Sequence, residues 1–275
     1  MADSSNRPPD YAGERAREYD RGMEVLFRTF ATDEPTVRGQ LTSLLGLRPG
    51  ARVLETGCGT GRDTVQLAAT AGTVFATDLS ADMIRVGRSR LAEAGIGTDR
   101  VRLFVSDATR LPLADACFDA AYHFGGLNLF PDIRRGIAEM ARVVKPGGKV
   151  VFGDEGLAPW LADSEFGKVL VNSNPLYRFQ PPIALLPVSA RDVACRWIMN
   201  GAFYVVDFTV GEGEPFLDLD LPFPGWRGGS HRTRYYGKLD GVAPEIRQQV
   251  VDAAARAGMS LTAWLETTLR DALKK

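Results

Sequence analysis

The densest chemical signal in the chain is Val53-Leu54-Glu55-Thr56-Gly57-Cys58-Gly59-Thr60-Gly61, an apolar run that ends in glycines at alternate positions. Glycine accepts positive φ and lets the backbone approach a ligand closely. A helix starting near Arg62 or Asp63 adds unpaired N–H groups behind that loop. Two carboxylates extend the pattern. Asp78 ends the next strand-like run, 21 residues after Gly57, where its oxygens can accept from both hydroxyls of a ribose. Asp107 ends the following run, in Val105-Ser106-Asp107-Ala108. Arg62 stands where a G-x-G-x-x-G fingerprint needs its third glycine. No lysine follows as in G-x-x-x-x-G-K-S/T, which argues against a nucleoside triphosphate. The plainer alternative for each carboxylate is a cap or turn residue.

Residues that could move a proton are fewer. His123 follows the fourth strand-like run in Ala121-Tyr122-His123-Phe124-Gly125-Gly126, and an imidazole exchanges protons near neutral pH. It reads either as a base or as a packed histidine at a strand end. Asp154 and Glu155 end the fifth run and serve either as a base or acceptor ligand, or as caps of the next helix. His231 lies beside Arg232-Thr233-Arg234-Tyr235-Tyr236. If 232–239 is a strand, Arg232, Arg234 and Tyr236 share a face that could grip an anionic or aromatic molecule, or RNA. A solvated edge strand is the alternative.

These residues need elements to hold them. Apolar runs at 52–55, 73–77, 101–105, 118–122 and 149–152 alternate with helical stretches such as 81–94 and 133–144. Strands separated by helices of about 10–15 residues imply right-handed βαβ units and a doubly wound α/β sheet. Open sheets of this kind bind ligands at the carboxyl ends of their strands, where Gly57, Asp78 and Asp107 all fall. Upstream, residues 1 to about 12 read as disordered, and helices are expected over 12–30 and 36–45. Residues 157–200 read as a helical cap in which Trp160, Phe166, Tyr177 and Phe179 form either pocket walls or a small core. Strands follow at 203–210 and 232–239.

Composition sets outer limits. The 275 residues carry a net charge of −1, without the strong basic excess usual for a nucleic-acid binder. No apolar run approaches the roughly 18 residues that suggest a membrane span. The N-terminus has no apolar signal stretch. Cys58, Cys117 and Cys195 lie far apart, so neither disulfides nor a metal site is indicated, and a cytoplasmic location is the default.

Glu-Thr-Gly-Cys-Gly-Thr-Gly at 55–61, Ala-Thr-Asp-Leu-Ser at 76–80, Ser-Asp-Ala-Thr-Arg-Leu-Pro-Leu at 106–113 and Arg-Val-Val-Lys-Pro-Gly-Gly-Lys-Val-Val-Phe at 142–152 together resemble class I S-adenosylmethionine-dependent methyltransferases. The resemblance is to those similar to the ubiquinone and menaquinone C-methyltransferases, and it covers roughly residues 15–155. It implies a Rossmann-like sheet, mostly parallel with an antiparallel strand near one edge, and methyl transfer from S-adenosyl-L-methionine to a small molecule. By that resemblance Glu55 and the backbone of Gly57, Cys58 and Gly59 hold the methionine part of the cofactor. Asp78 takes the ribose hydroxyls, Leu79 lies against the adenine, and Asp107 with the Ala108 N–H faces the adenine edge. An N-terminal lid over 1–45 brings Tyr19 to the cofactor, before a core at 46–156, a cap at 157–200 and final strands at 201–240.

The tail, 241–275, forms two helices separated by Gly258-Met259-Ser260, with the glycine as a stop and the serine as the next N-cap. It is similar to the helices of ribbon-helix-helix proteins. That similarity implies a homodimer through these helices and offers an alternative function, a cofactor-responsive DNA-binding regulator. Near charge balance from 245 to 275 argues against DNA contact.

Overall fold

The structure is a computed structural model that describes residues 15–225, 228–235 and 243–274. The segment expected to be disordered, 1 to about 12, lies outside the described residues. The chain forms two compact units, up to Pro215 and from Phe216 onward.

Seven strands build the first unit: β1 (Arg52–Thr56), β2 (Thr73–Asp78), β3 (Val101–Val105), β4 (Phe118–Phe124), β5 (Val144–Glu155), β6 (Ala190–Ile198) and β7 (Phe203–Val210), in the order β3-β2-β1-β4-β5-β7-β6. Only β7 runs against the others. The order reverses direction between β1 and β4, which creates a crevice at the carboxyl ends. Helices α1 (Arg15–Thr29), α2 (Glu34–Ser43), α3 (Arg62–Thr70), α4 (Ala81–Glu93), α5 (Ile133–Val143) and α6 (Glu165–Ser173) complete the unit. Their starts follow local chemistry. Asp33, Ser80, Asp132 and Ser164 each accept an N–H of the first turn, and Gly61 enters α3 at φ 79°.

Strand alternation sorts the core onto two faces. Val53, Val151 and Val205 pack with Leu41, Leu67 and Ile84 under α2, α3 and α4. Leu54, Val150, Phe152 and Val206 pack with Ile137 and Met140 of α5. Ile137 and Met140 are fully buried, and each contributes about 1.5–3 kcal/mol of transfer free energy. A third cluster joins Phe27 and Phe30 at the end of α1 to Leu157, Leu170, Tyr177 and Phe203. It fixes α1 and α6 beside the carboxyl ends of the central strands.

Two expectations are corrected here. The sheet closes with β6, inside the stretch read as helical cap, and the cap shortens accordingly. β6 is an edge strand whose Arg191, Asp192 and Arg196 and irregular register between Arg191 and Ala194 hide its alternation. Positive φ at Met199, Asn200 and Gly201 then turns the chain tightly into β7. Conversely, the strand expected at 232–239 is absent over its described part: His231–Tyr235 is a short helix, α7. Ser230 starts it by exchanging hydrogen bonds with Thr233, and Arg232 pairs with Asp220. Tyr236 and the rest of that expected strand lie outside the described residues.

Taken by itself, the C-terminal unit holds α7, α8 (Pro244–Arg256) and α9 (Leu261–Leu273). Gly258 at φ 63° ends α8, and Ser260 caps α9 through the Ala263 N–H. Both follow the expectation for that turn. Among the described residues no helix is long and apolar enough to cross a membrane.

Candidate functional site

A cavity of about 1010 Å³ lies at the carboxyl ends of β1 to β5, walled by residues of the first unit. Pockets for small ligands run about 300–1,000 Å³, so this one stands at the top of that range. Its floor is the loop after β1, where Gly57, Gly59 and Gly61 all hold positive φ. At Gly57 the requirement is also steric: a Cβ would stand 2.9 Å from Cε1 of His123.

Asp78 closes β2 and ties the loop down. One carboxylate oxygen accepts the Gly59 N–H at 2.8 Å, and the other accepts the Ser80 N–H at 2.8 Å. Burial pushes its carboxyl above the ordinary range, against the pull of these N–H groups. Asp107 closes β3, and its Oδ1 accepts both the N–H and the hydroxyl of Thr109. Leu79, Ala108 and Tyr19 line the same cavity. Leu79 is 64% exposed, leaving an apolar surface uncovered by protein.

At the end of β4, His123 lines the cavity and is 1% exposed. Its Nδ1 lies 2.8 Å from the Thr56 carbonyl, and its ring meets Phe130 edge-on at 5.1 Å. Burial lowers its pKa to about 4, so the imidazole is neutral at physiological pH. Glu155 ends β5 on the cavity wall. Between these residues stand Phe124, Leu129, Phe130 and Phe203, and Met23, Leu26 and Phe27 of α1 add to the apolar lining.

Three residues with a ligand role among their readings, Cys58 through its backbone and Asp154 with a cap as its alternative, do not line the cavity. Glu55 is buried and accepts the Thr64 hydroxyl at 2.6 Å; burial and neighbouring Asp63 push its carboxyl well above the usual range. The Cys58 N–H donates to the Thr77 carbonyl, and its side chain is buried in the core. Asp154 accepts the N–H groups of Gly126, Asn128 and Glu155 and so shapes the turns after β4 and β5. Burial and the adjacent Glu155 carboxyl raise Asp154 well above the ordinary range. None of the four cap aromatics lines the cavity. Tyr177 joins the third core cluster, Trp160 stacks edge-on against Trp197, and Pro175 and Leu176 form the cap's part of the wall. His231 belongs to the C-terminal unit, where it opens α7 and packs edge-on against Phe223.

Sequence reasoning missed a polar network. Asp20 of α1 accepts from Thr60 at 2.6 Å, Arg62 at 3.0 Å and Arg90 at 2.6 Å. Glu34 binds Arg38 and Arg62, and Arg38 reaches Asp63 at 2.5 Å. Arg38 also lines the cavity, with its charge already met by these carboxylates. The network bolts α1 and α2 to the glycine loop. Apart from Glu34 and Arg38, four residues apart, its partners lie 25 to 70 residues from one another in sequence, and such pairs carry no periodic signal.

Residues 53–148 match a family model described as a methyltransferase domain. A demethylmenaquinone methyltransferase of Beutenbergia cavernae is 37% identical over 157 residues, 56% of this chain and 61% of that protein. The 27-O-demethylrifamycin SV methyltransferase of Amycolatopsis mediterranei is 35% identical over 177 residues, 59% of this chain and 64% of that one. The chain thus spans somewhat under two thirds of the length of either relative. The structure of Haemonchus contortus phosphoethanolamine N-methyltransferase 2 in complex with S-adenosyl-L-methionine superposes with a TM-score of 0.59 at 17% identity, over 77% of this chain and 61% of that one. That likeness is one of fold.

Proposed function

We propose that the protein transfers a methyl group from S-adenosyl-L-methionine to a small molecule; the match of residues 53–148 to a methyltransferase domain and the Rossmann-like strand order support this reading. One observation carries the reading: Asp78, Asp107 and His123 stand at the carboxyl ends of three strands and line a single cavity.

The residues present fit that cofactor. A carboxylate has about four acceptor sites, and Asp78 uses two on Gly59 and Ser80, which leaves two for ribose hydroxyls. Asp107 keeps Oδ2 for the adenine amino group, Ala108 offers its N–H beside it, and Leu79 offers an apolar face. Tyr19 of the α1 roof contacts the cofactor from above. Asp78, Asp107 and Glu155 set a negative field, suited to a ligand bearing a sulfonium and an ammonium. Glu55 and Cys58 support the loop rather than touch the ligand. When bound, S-adenosyl-L-methionine supplies a methyl group made electrophilic by its sulfonium.

The protein's part is then to align and to exclude water. Neighbouring strands stand about 4.8 Å apart, so β4 presents His123 about 10 Å across from Asp78, two strands away. The apolar wall around His123 and Glu155 takes the body of the acceptor. Positioning of this kind can contribute on the order of 7–11 kcal/mol to the barrier. The named relatives act on demethylmenaquinone and 27-O-demethylrifamycin SV, which favours a small molecule over a macromolecule. We further infer that the hairpin of α8 and α9 pairs two copies of the chain, since Ile246, Leu269 and Leu273 are exposed. The deciding experiment is incubation with methyl-labelled cofactor and a metabolite library. Transfer of label to a discrete metabolite is expected; binding of the cofactor without transfer to any member would overturn the enzymatic reading.

A further inference from the structure

His123 has one ring nitrogen whose partner is present and one whose partner is not. Nδ1 lies 2.8 Å from the Thr56 carbonyl oxygen and 3.2 Å from the Thr56 hydroxyl. A carbonyl only accepts, so Nδ1 must carry the ring hydrogen. The neutral ring then presents a bare lone pair at Nε2. Nε2 is buried and has no hydrogen-bond partner, although the residue lines the cavity. Buried polar atoms are nearly always paired, and leaving one unpaired costs free energy. Among the described residues of the cavity wall it is the one such orphan, an acceptor that a donor on a ligand would satisfy.

The surroundings select that donor. The ring touches Gly57 and packs against Phe130, and the wall beyond it is Phe124, Leu129 and Phe203. Burial, opposed by the Thr56 carbonyl, keeps the ring uncharged. Burying a cationic donor against an uncharged acceptor in apolar surroundings loses more hydration than one hydrogen bond returns. A neutral hydroxyl on an apolar body meets the site without that loss.

We propose that Nε2 of His123 accepts a hydrogen bond from a hydroxyl group of the methyl acceptor, so that the acceptor is a hydroxylated and otherwise apolar molecule. The inference rests on the methyl-transfer reading and adds to it a contact, a ring tautomer and a substrate class. His123 orients the hydroxyl in this scheme. A ring this reluctant to take a proton is a poor base for an ordinary hydroxyl.

The chain has two histidines, so labelling the imidazole nitrogens with ¹⁵N yields two ring systems, which His231→Gln assigns. In the free protein His123 should show hydrogen on Nδ1 and none on Nε2. S-adenosyl-L-homocysteine is then added, with its binding followed by calorimetry on the same sample. Phenol, 2-naphthol and 4-phenylphenol follow, each against its own methyl ether. The Nε2 resonance should move with at least one hydroxyl probe and stay still with the matching ether. Hydrogen found on Nε2 in the free protein overturns the proposal. So does an Nε2 shift on S-adenosyl-L-homocysteine alone, which would give the atom to the cofactor, and so does silence toward every hydroxyl probe. If S-adenosyl-L-homocysteine does not bind, the underlying reading falls and this one with it. Binding with Nε2 unmoved by the phenols removes this proposal only.

Discussion

Replacing His123 with glutamine should flatten the acid side of the protein's stability profile. The ordinary histidine pKa of 6.5 falls to about 4 in the fold because burial disfavours the charged ring. Between these two values the unfolded chain binds a proton that the folded chain refuses, so stability falls as pH falls. The histidine has no effect above about pH 7. At about 1.36 kcal/mol per unit, the loss amounts to about 2 kcal/mol by pH 5 and about 3 kcal/mol by pH 4. Glu55, Asp78 and Asp154 have raised values and work in the opposite direction. They are common to both proteins, so the difference between wild type and His123→Gln isolates the ring. Urea unfolding followed by circular dichroism at pH 7, 6, 5 and 4.5 measures that difference. Wild type should lose its relative advantage steadily on acidification. A difference that stays constant within about 0.5 kcal/mol would refute the buried, uncharged ring and with it the tautomer argument.

Four further outcomes test other parts of the site. Asp78→Ala removes a charged acceptor from the ribose position and should weaken cofactor affinity by about 1–3 kcal/mol; unchanged affinity by calorimetry would refute the assignment. Gly57→Ala and Gly95→Ala both place a Cβ at positive φ, but only the first meets another side chain, the ring of His123. Urea midpoints should show Gly57→Ala the more destabilising by at least about 1 kcal/mol. Asp154→Ala strands the N–H groups of Gly126, Asn128 and Glu155. It should cost about 2–4 kcal/mol of stability, while affinity for S-adenosyl-L-homocysteine stays within about twofold; the reverse pattern would make Asp154 a ligand contact. Deleting residues 241–275 should halve the particle mass in light scattering, and an unchanged mass would dismiss pairing through the hairpin.

The glycine elbow, Asp78 and Asp107 were readable from sequence because each is a local event: a strand runs out, a turn needs glycine, a carboxylate caps it. Six strands of the sheet, β7 at 203–210 among them, and the turn between α8 and α9 were readable for the same reason, through periodicity and capping residues. The edge strand β6 was not. Arg191, Asp192 and Arg196 disguise β6, whose pairing with β7 depends on a tight turn and a partner strand, whereas alternation at 232–239 suggests a strand that Ser230 and Thr233 replace with a helical start. Nor could sequence say which acidic residues face a ligand. Glu55 and Asp154 stand within a few residues of cavity-lining atoms, yet Thr64 and the N–H groups after β4 take their oxygens. The same holds for His123: a motif can supply an imidazole, but only the carbonyl of Thr56, 67 residues away, decides which nitrogen keeps its hydrogen. Turn chemistry and periodicity act over a few residues and survive in the sequence, whereas hydrogen-bond satisfaction and burial are settled among groups that meet only when the chain has folded.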